Sequence, residues 1–402
     1  MGLSVVNVFQ VLPVGLLCSV CLFGNAQAAT LREALEQAWA AQAEPLTARQ
    51  AQYSAQLAAS QAWTPQPPTI GLSNSTDQLN DDLGHREWEV ELAAPIWLPG
   101  QRAKAVAVAE AQRTAFDGNS SLQRLQLAGQ LRESWWALRL AEVDLATARR
   151  QLAAAQQLAE EVERRVAAGE LAALDGNQAS IGVQRAKRQQ SLATLAWQRA
   201  EQGFALLARG AAVPDQDEVL AAAVALGQHP LRHSLQARSH SAQARLEQAS
   251  SASDTAPELA LTYSSERDEQ GAAYRDRVKL GISIPFGTES RNQARISAAN
   301  ADWIEAQSRR QLERERVAAE LVGAELELRQ SREQRTLASA ELALVTQRSA
   351  GINKGFRLGQ FDLLAQLRSQ QEQLDAEAQV QRAEHELGRA ISRLNQAAGV
   401  LP

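Results

Sequence analysis

The sequence predicts a mainly α fold with a small β part, built from long α-helical hairpins and two β-hairpins that supply four strands. Three observations carry that expectation. Aromatic residues make up only 4% of the 402 residues while Ala, Gln, Glu, Leu and Arg dominate, a usage typical of long helices. Two stretches break the helical pattern with strict two-residue alternation. The chain also repeats itself at an offset near half its length, the mark of a duplicated architecture.

The first alternating stretch is REWEVELAAPIWLPGQR, Arg86 to Arg102. Trp88, Val90 and Leu92 share one face of a strand, and Glu87, Glu89 and Glu91 share the other. A corner of Pro95, Pro99 and Gly100 stops it, and an alanine-rich helix follows. The second copy is DRVKLGISIPFGTESR, Asp276 to Arg291, with Val278, Leu280, Ile282 and Ile284 on one side. Each copy follows a shorter strand. The first, 69–76, carries Ile70 and Leu72; the second, 258–264, alternates Leu259, Leu261 and Tyr263. Polar tips, DQLNDDLGH and SERDEQGAA, join the pairs.

At the N-terminus an apolar run from Val11 to Phe23 precedes Ala26-Gln27-Ala28, which reads as a signal peptide over 1–28. A run of about 13 residues is too short to span a bilayer as a helix. Both cysteines, Cys18 and Cys21, fall inside it, so the mature chain has no disulfide, thiol nucleophile or thiolate ligand. The net charge of -5 is spread without a basic stripe, which argues against nucleic acid as a partner.

The remainder divides into halves, 29–215 and 216–402. Gly100 and Gly287 stand 187 positions apart, as do Asp175 and Asp362. Each half reads as a helical region, a β-hairpin, a very long helix and a return helix. In the first half the opening region, 31–62, starts at Thr30 with Glu33 as a capping box and is broken at Pro45. The long helix, 101–168, would extend about 100 Å, with Asp117-Gly118-Asn119 as its one conspicuous interruption. Leu131, Leu138, Leu145 and Leu152 recur along it every seven residues, and Ser134, Ala141 and Ala148 follow the first three by three. That is a seam of alternating large and small layers. The return helix covers 177–209. The second half repeats the plan with a region at 217–250 broken at Pro230, a helix at 290–350, the turn GINKGFRLGQ, and a helix at 361–398 carrying Leu387, Ile391 and Leu394. So much alanine predicts close neighbours on both sides of each long helix.

Each strand, at about 8–10 residues, approaches the 9–11 of a tilted membrane strand. A bilayer admits no open sheet edge, and four strands cannot close a barrel. Eight strands give an interior filled by side chains, whereas twelve leave a lumen, so transport favours a homotrimer. Glu87, Glu89, Glu91 and Glu258 would then line the pore, opposed by Arg277 and Lys279, and an acidic excess favours cations. Trp88 and Trp97 suit membrane interfaces.

The ordered set of stretches TLREALEQAWA, PIWLPGQRAKAVAVAEAQ, IPFGTESRNQARISAANAD, FRLGQFDLLAQL and LNQAAGVLP resembles the TolC-type outer-membrane efflux factors over the whole mature chain. The turn at Gly359 and the LNQAAGVLP tail look most like the cation (heavy-metal) branch. The resemblance implies a trimer with a twelve-stranded outer-membrane barrel and a periplasmic α-barrel tunnel. It also implies docking to a periplasmic adaptor and an inner-membrane pump of the resistance-nodulation-division type, with metal cations conducted passively. A gate near the second-half turn would involve Arg357, Gln360 and Asp362, with Asp175 as the first-half equivalent; N-capping of the last helix is the alternative role of Asp362. A duct for drugs or polypeptide is a second reading. A periplasmic coiled-coil adaptor is a third, but an adaptor would carry a single helical hairpin and a strand-rich module. Nothing points to an enzyme, since no phosphate loop, nucleophile elbow or zincin motif occurs. His229, His233 and His240 lack cysteine or carboxylate partners at ligand spacing and read as exposed helix residues, so neither metal nor cofactor is expected.

Overall fold

A computed structural model of the protein describes residues 30–80, 83–221, 228–251, 256–286 and 289–402. The expected signal peptide, with Cys18 and Cys21, and Gly287 of the second corner lie outside the described residues. The elements run α1 (Leu31–Ala40), α2 (Ala43–Ser60), β1 (Thr69–Thr76), β2 (Arg86–Pro95), α3 (Gln101–Ala167) and α4 (Ala173–Leu207). There follow α5 (Pro230–Ser251), β3 (Glu258–Arg267), β4 (Arg275–Ser283), α6 (Glu289–Arg357) and α7 (Leu363–Ala397).

The four strands form one antiparallel sheet in the order β1-β2-β3-β4, two hairpins side by side with both outer edges open in the single chain. Register carries the apolar alternation across all four. Ile70, Leu92, Leu261 and Leu280 make one row, and Leu72, Val90, Tyr263 and Val278 the next. Every one of these side chains is exposed. At the foot of the sheet Gly100 takes φ 80°, a left-handed turn that a residue with a Cβ rarely adopts, and α3 starts there. Around that corner the Ile96 N–H donates to the Pro257 carbonyl at 2.8 Å and the Trp97 indole to the Ala62 carbonyl at 3.1 Å. The Gln101 amide donates to the Ser251 carbonyl at 3.3 Å. Sheet and helices are thereby joined by bonds as well as by chain continuity.

The helices form a layer in the order α4, α3, α7, α6, with α5 laid across α3 and α6, and α1 and α2 against α3. α3 runs 67 residues without a break, through Asp117-Gly118-Asn119. Gly118 is not an interruption but a crossing point: a Cβ there would lie 3.1 Å from Ser234 Cα of α5. The expected neighbours on both sides of α3 are present. Trp135 and Trp136 are adjacent in sequence and both fully buried, which a surface helix could not achieve. Trp135 donates to the Pro214 carbonyl at 2.9 Å, and Trp136 donates to Ser392 Oγ of α7 at 2.8 Å. Gly388 of α7 is the notch for the Trp136 ring, which a Cβ would strike. Leu131, Leu138 and Leu145 are buried as the seam predicts, while Leu152 is half-buried.

Local detail refines or corrects these expectations. The break expected at Pro45 falls at 41–42: Pro45 lies in the first turn of α2 and has no N–H to offer the Ala41 carbonyl, so α1 ends there. Residues 217–221 are not helical. They run without regular structure and are pinned by Asn395, which accepts from Ala221 N–H at 2.9 Å and donates to the Val219 carbonyl at 3.0 Å. Arg132, 2% exposed, grips both Glu218 oxygens at 2.8 and 2.9 Å and the Val400 carbonyl at 3.0 Å. α6 continues through Gly351 and Gly355 to Arg357, so the second turn is only 358–362; Gly355 leaves room for the Phe361 ring. On α7 the residues fully buried are the small ones, Ala390 and Ser392, while Leu387, Ile391 and Leu394 stay half-buried.

Candidate pore surface and tunnel end

The six charged residues expected to line a pore all lie on the polar face of the sheet. Its rows are Gly71, Glu91, Thr262, Lys279; then Ser73, Glu89, Ser264, Arg277; then Ser75, Glu87, Glu266, Arg275. Glu258 stands opposite Ser283 at the foot. Glu87, Glu89 and Glu91 are half-buried where Trp88, Val90 and Leu92 are exposed, so on β2 the polar face is the sheltered one, while Arg277 and Lys279 of the edge strand β4 are exposed. Sequence reasoning missed Glu266 and Arg275, because it ended β3 at Ser264 and began β4 at Asp276. Continuing the two-residue parity from Thr262 and Lys279 would have found both. Arg277 donates to Glu266 at 2.8 Å, and Arg275 stands 3.9 Å from the same carboxylate. Glu266 therefore binds the outer part of the basic row. Of the two expected interfacial tryptophans, Trp88 is exposed on the apolar face and Trp97 is half-buried at the foot, bonded to Ala62.

At the far end of the helices the two turns lie side by side. The Arg165 guanidinium of α3 sits 4.7 Å from the centroid of the Phe356 ring of α6, and Leu367 of α7 packs on Leu158, Val162 and Ala179. Gly169 and Gly359 close the two long helices with φ 78° and 72°. Counted from these glycines, Asp362 is third and Asp175 sixth, so they are not equivalent positions. Asp362 is the N-cap of α7, its carboxylate accepting from the Ala365 N–H at 2.8 Å. Asp175 lies within the first turn of α4, three residues after its N-cap Ala172, and accepts from the Ala172 N–H at 3.2 Å. Matching residue types had aligned two carboxylates that serve free helix N–H groups from different places. Arg357 ends α6 and its Nε donates to the Asn353 carbonyl at 3.4 Å, while the Gln360 backbone N–H donates to the Gly355 carbonyl at 2.8 Å. All four gate candidates are thus at one end, and among the described residues none is bonded to another.

Between foot and tip, α7 is tied to its neighbours by charge. Glu133 of α3 accepts from Arg389 at 2.6 Å and Arg393 at 2.7 Å, Arg393 also pairs with Glu327 of α6, and Arg382 meets Asp144 at 2.6 Å. Burial acts to raise the Glu133 carboxyl, but the bonds and charges of Arg393 and Arg389 outweigh it and hold the group below its ordinary value. His229 departs from the exposed reading: it is buried, its Nδ1 accepts from the Leu231 N–H at 3.2 Å, and it sits beneath Gly399 at the end of α7. Its burial is the main cause that lowers its basicity. His233 and His240 are exposed. Among the described residues no group of three or more His, Cys, Asp or Glu could hold a metal ion, and no helix is long and apolar enough to cross a membrane.

A sheet with one apolar and one charged face, open at both edges and rooted in helices of about 100 Å, defines an outer-membrane channel fold with a helical tunnel. The chain has the fold of the TolC-type outer-membrane channels. No family model matches it. It is 27% identical over 294 residues to the cobalt-zinc-cadmium resistance protein CzcC of Cupriavidus metallidurans, covering 70% of this chain and 69% of that one. A membrane protein from Pseudomonas aeruginosa superposes with a TM-score of 0.76 at 18% identity, over 92% of this chain and 93% of its own. The CusC channel superposes with a TM-score of 0.75 at 17% identity, over 92% of each chain. The Campylobacter jejuni CmeC outer-membrane channel does so with 0.73 at 14%, over 93% of this chain and 88% of its own. The fold implied by the resemblance read from the sequence is borne out, and the relative matched in sequence is one named for heavy-metal resistance.

Proposed function

We propose that the protein is the outer-membrane exit duct of a tripartite efflux system, conducting metal cations passively from an inner-membrane pump and a periplasmic adaptor to the exterior. The two-faced sheet is the observation that carries this reading. Its exposed apolar rows suit lipid, and its charged rows suit a wet lumen. The metal substrate is supported by the relative named for cobalt, zinc and cadmium resistance. The resistance-nodulation-division pump and its adaptor are inferred from the same resemblance. The halves 29–215 and 216–402 are read as a tandem duplication, since each runs through hairpin, long helix and 35-residue return helix in the same order.

The surfaces support a trimer in particular. The edge helices of the layer each carry one exposed apolar stripe. On α6, Ile304, Leu312, Val322, Leu326, Leu337 and Leu344 fall within an arc of about 80° at 3.6 residues per turn. On α4, Leu174, Ile181, Leu192, Leu195 and Leu206 fall within about 60°. A stripe on each edge suits a head-to-tail contact, α6 of one chain on α4 of the next, that closes into a ring. The same closure pairs the open edges of β1 and β4, and three chains give twelve strands. Arg357, Gln360, Asp362 and Asp175 would then surround the periplasmic mouth. Membrane fractionation with mass measurement in detergent tests the reading. A trimer in the outer membrane is expected, and a monomer in the soluble periplasmic fraction would overturn it.

A further inference from the structure

The register of the charged face carries an inference that rests on the barrel reading and deepens it. All acids of β2 that face the lumen, Glu87, Glu89 and Glu91, form one column along the strand. All lumen-facing bases, Arg275, Arg277 and Lys279, form another on β4. Two strand spacings separate the columns, about 10 Å. Closing the ring through β4 and the next chain's β1 again puts two strand spacings between a basic column and the following acidic one. In a twelve-stranded barrel the columns therefore alternate evenly, acid and base, three of each. The order follows from strand pairing alone and holds whatever the tilt of the strands.

We propose that the barrel lumen is striped rather than ringed: three acidic lanes alternate with three basic lanes, so the exit conducts ions of both signs and only weakly prefers cations. At physiological ionic strength the screening length is about 8 Å, shorter than the spacing between lanes. Neighbouring lanes are thus electrically distinct, and neither abolishes the other. β3 contributes Glu266 and Glu258 near its two ends, and Glu266 binds Arg277. The acids on this face exceed the bases by two per chain, which sets the sign of the weak preference. A lumen of this kind passes a cation together with its counter-anion or as a zwitterionic complex. It leaves discrimination to whatever loads the duct.

Reversal potentials in planar bilayers under a KCl gradient test the lanes, with the purified trimer as the sample. The unaltered channel is expected to show a potassium-to-chloride permeability ratio above unity by no more than about threefold. The triple variant Glu87→Gln, Glu89→Gln, Glu91→Gln should invert the ratio to favour chloride. The variant Arg275→Gln, Arg277→Gln, Lys279→Gln should raise it several-fold. Should either triple variant fail to insert, Glu89→Gln and Lys279→Gln alone should move the ratio in the same opposite directions. A strongly cation-selective native channel, or basic-lane variants with an unchanged ratio, would overturn the striped lumen while leaving the duct intact. Absence of any conductance from a correctly inserted trimer, in the native channel and in the gate-candidate variants Arg357→Ala and Asp362→Ala alike, would instead count against the duct reading itself.

Discussion

Trp136 on α3 and Leu326 on α6 occupy the same position in two helices of nearly equal length, each 33 residues before the glycine that closes its helix. Trp136 is 0% exposed, notched into Gly388 and bonded to Ser392; Leu326 is 52% exposed. The difference is one of place in the layer rather than of helix type. α3 lies between α4 and α7, so its apolar residues spread around its circumference and reach density with tryptophan. α6 is an edge, so its apolar residues contract to one stripe. If the two halves are a duplication, as proposed, one copy of this helix fills an interior within the chain and the other presents a stripe at its edge.

The largest effect should come from the interior. Trp136→Ala should cost about 3–5 kcal/mol of stability, read by denaturant unfolding of the helical signal. Leu326→Ala should leave the chain's own fold nearly unchanged and appear as weaker trimers at rising detergent concentration. Equal losses of chain stability in the two variants would break the contrast between centre and edge. Next comes the far end, where Asp362→Ala should cost about 1 kcal/mol through the lost N-cap and Asp175→Ala less, both measured by thermal unfolding. If Asp362→Ala instead changes the leak through the closed channel at unchanged stability, the residue is a gate and not a cap.

The smallest effect concerns pH and the clamp beneath α7. Burial lowers the basicity of His229, so the folded chain prefers the neutral ring and the unfolded chain binds the proton more readily. Its contribution is fully present above the ordinary histidine value of 6.5 and diminishes as pH falls below it toward the lowered folded value. Native protein should lose stability between pH 7 and pH 5 with a slope that His229→Gln flattens. Glu133 acts lower down, its folded value lying beneath 4.5, so its contribution is present above that and fades as acid titrates the folded carboxyl. An unflattened slope in His229→Gln would assign the loss to other groups.

What the sequence made legible follows from local periodicity. The four strands, their two faces and the corner at Gly100 were readable because alternation is a nearest-neighbour pattern. The heptads of α3 were readable for the same reason. The rank of each helix in the layer was not, because centre and edge are decided by contacts between distant segments; Trp135 and Trp136 gave no sign of it beyond their adjacency. The non-helical course of 217–221 depends on Asn395 and Arg132, far away in the chain. The inequivalence of Asp175 and Asp362 needed backbone geometry at Gly169 and Gly359. Of the charged face proposed to line the pore, six residues were found by parity, and Glu266 and Arg275 were lost only through strand ends drawn too short.

The open edges of the sheet bear on the chain's passage before assembly. β1, TIGLSNST, carries only two large apolar side chains, and β4 carries Arg275, Arg277 and Lys279. An edge so poor in grease, or so rich in like charge, is a weak template for indiscriminate stacking. At its strand edges, therefore, a lone copy resists indiscriminate pairing before it meets its partner in the proposed ring.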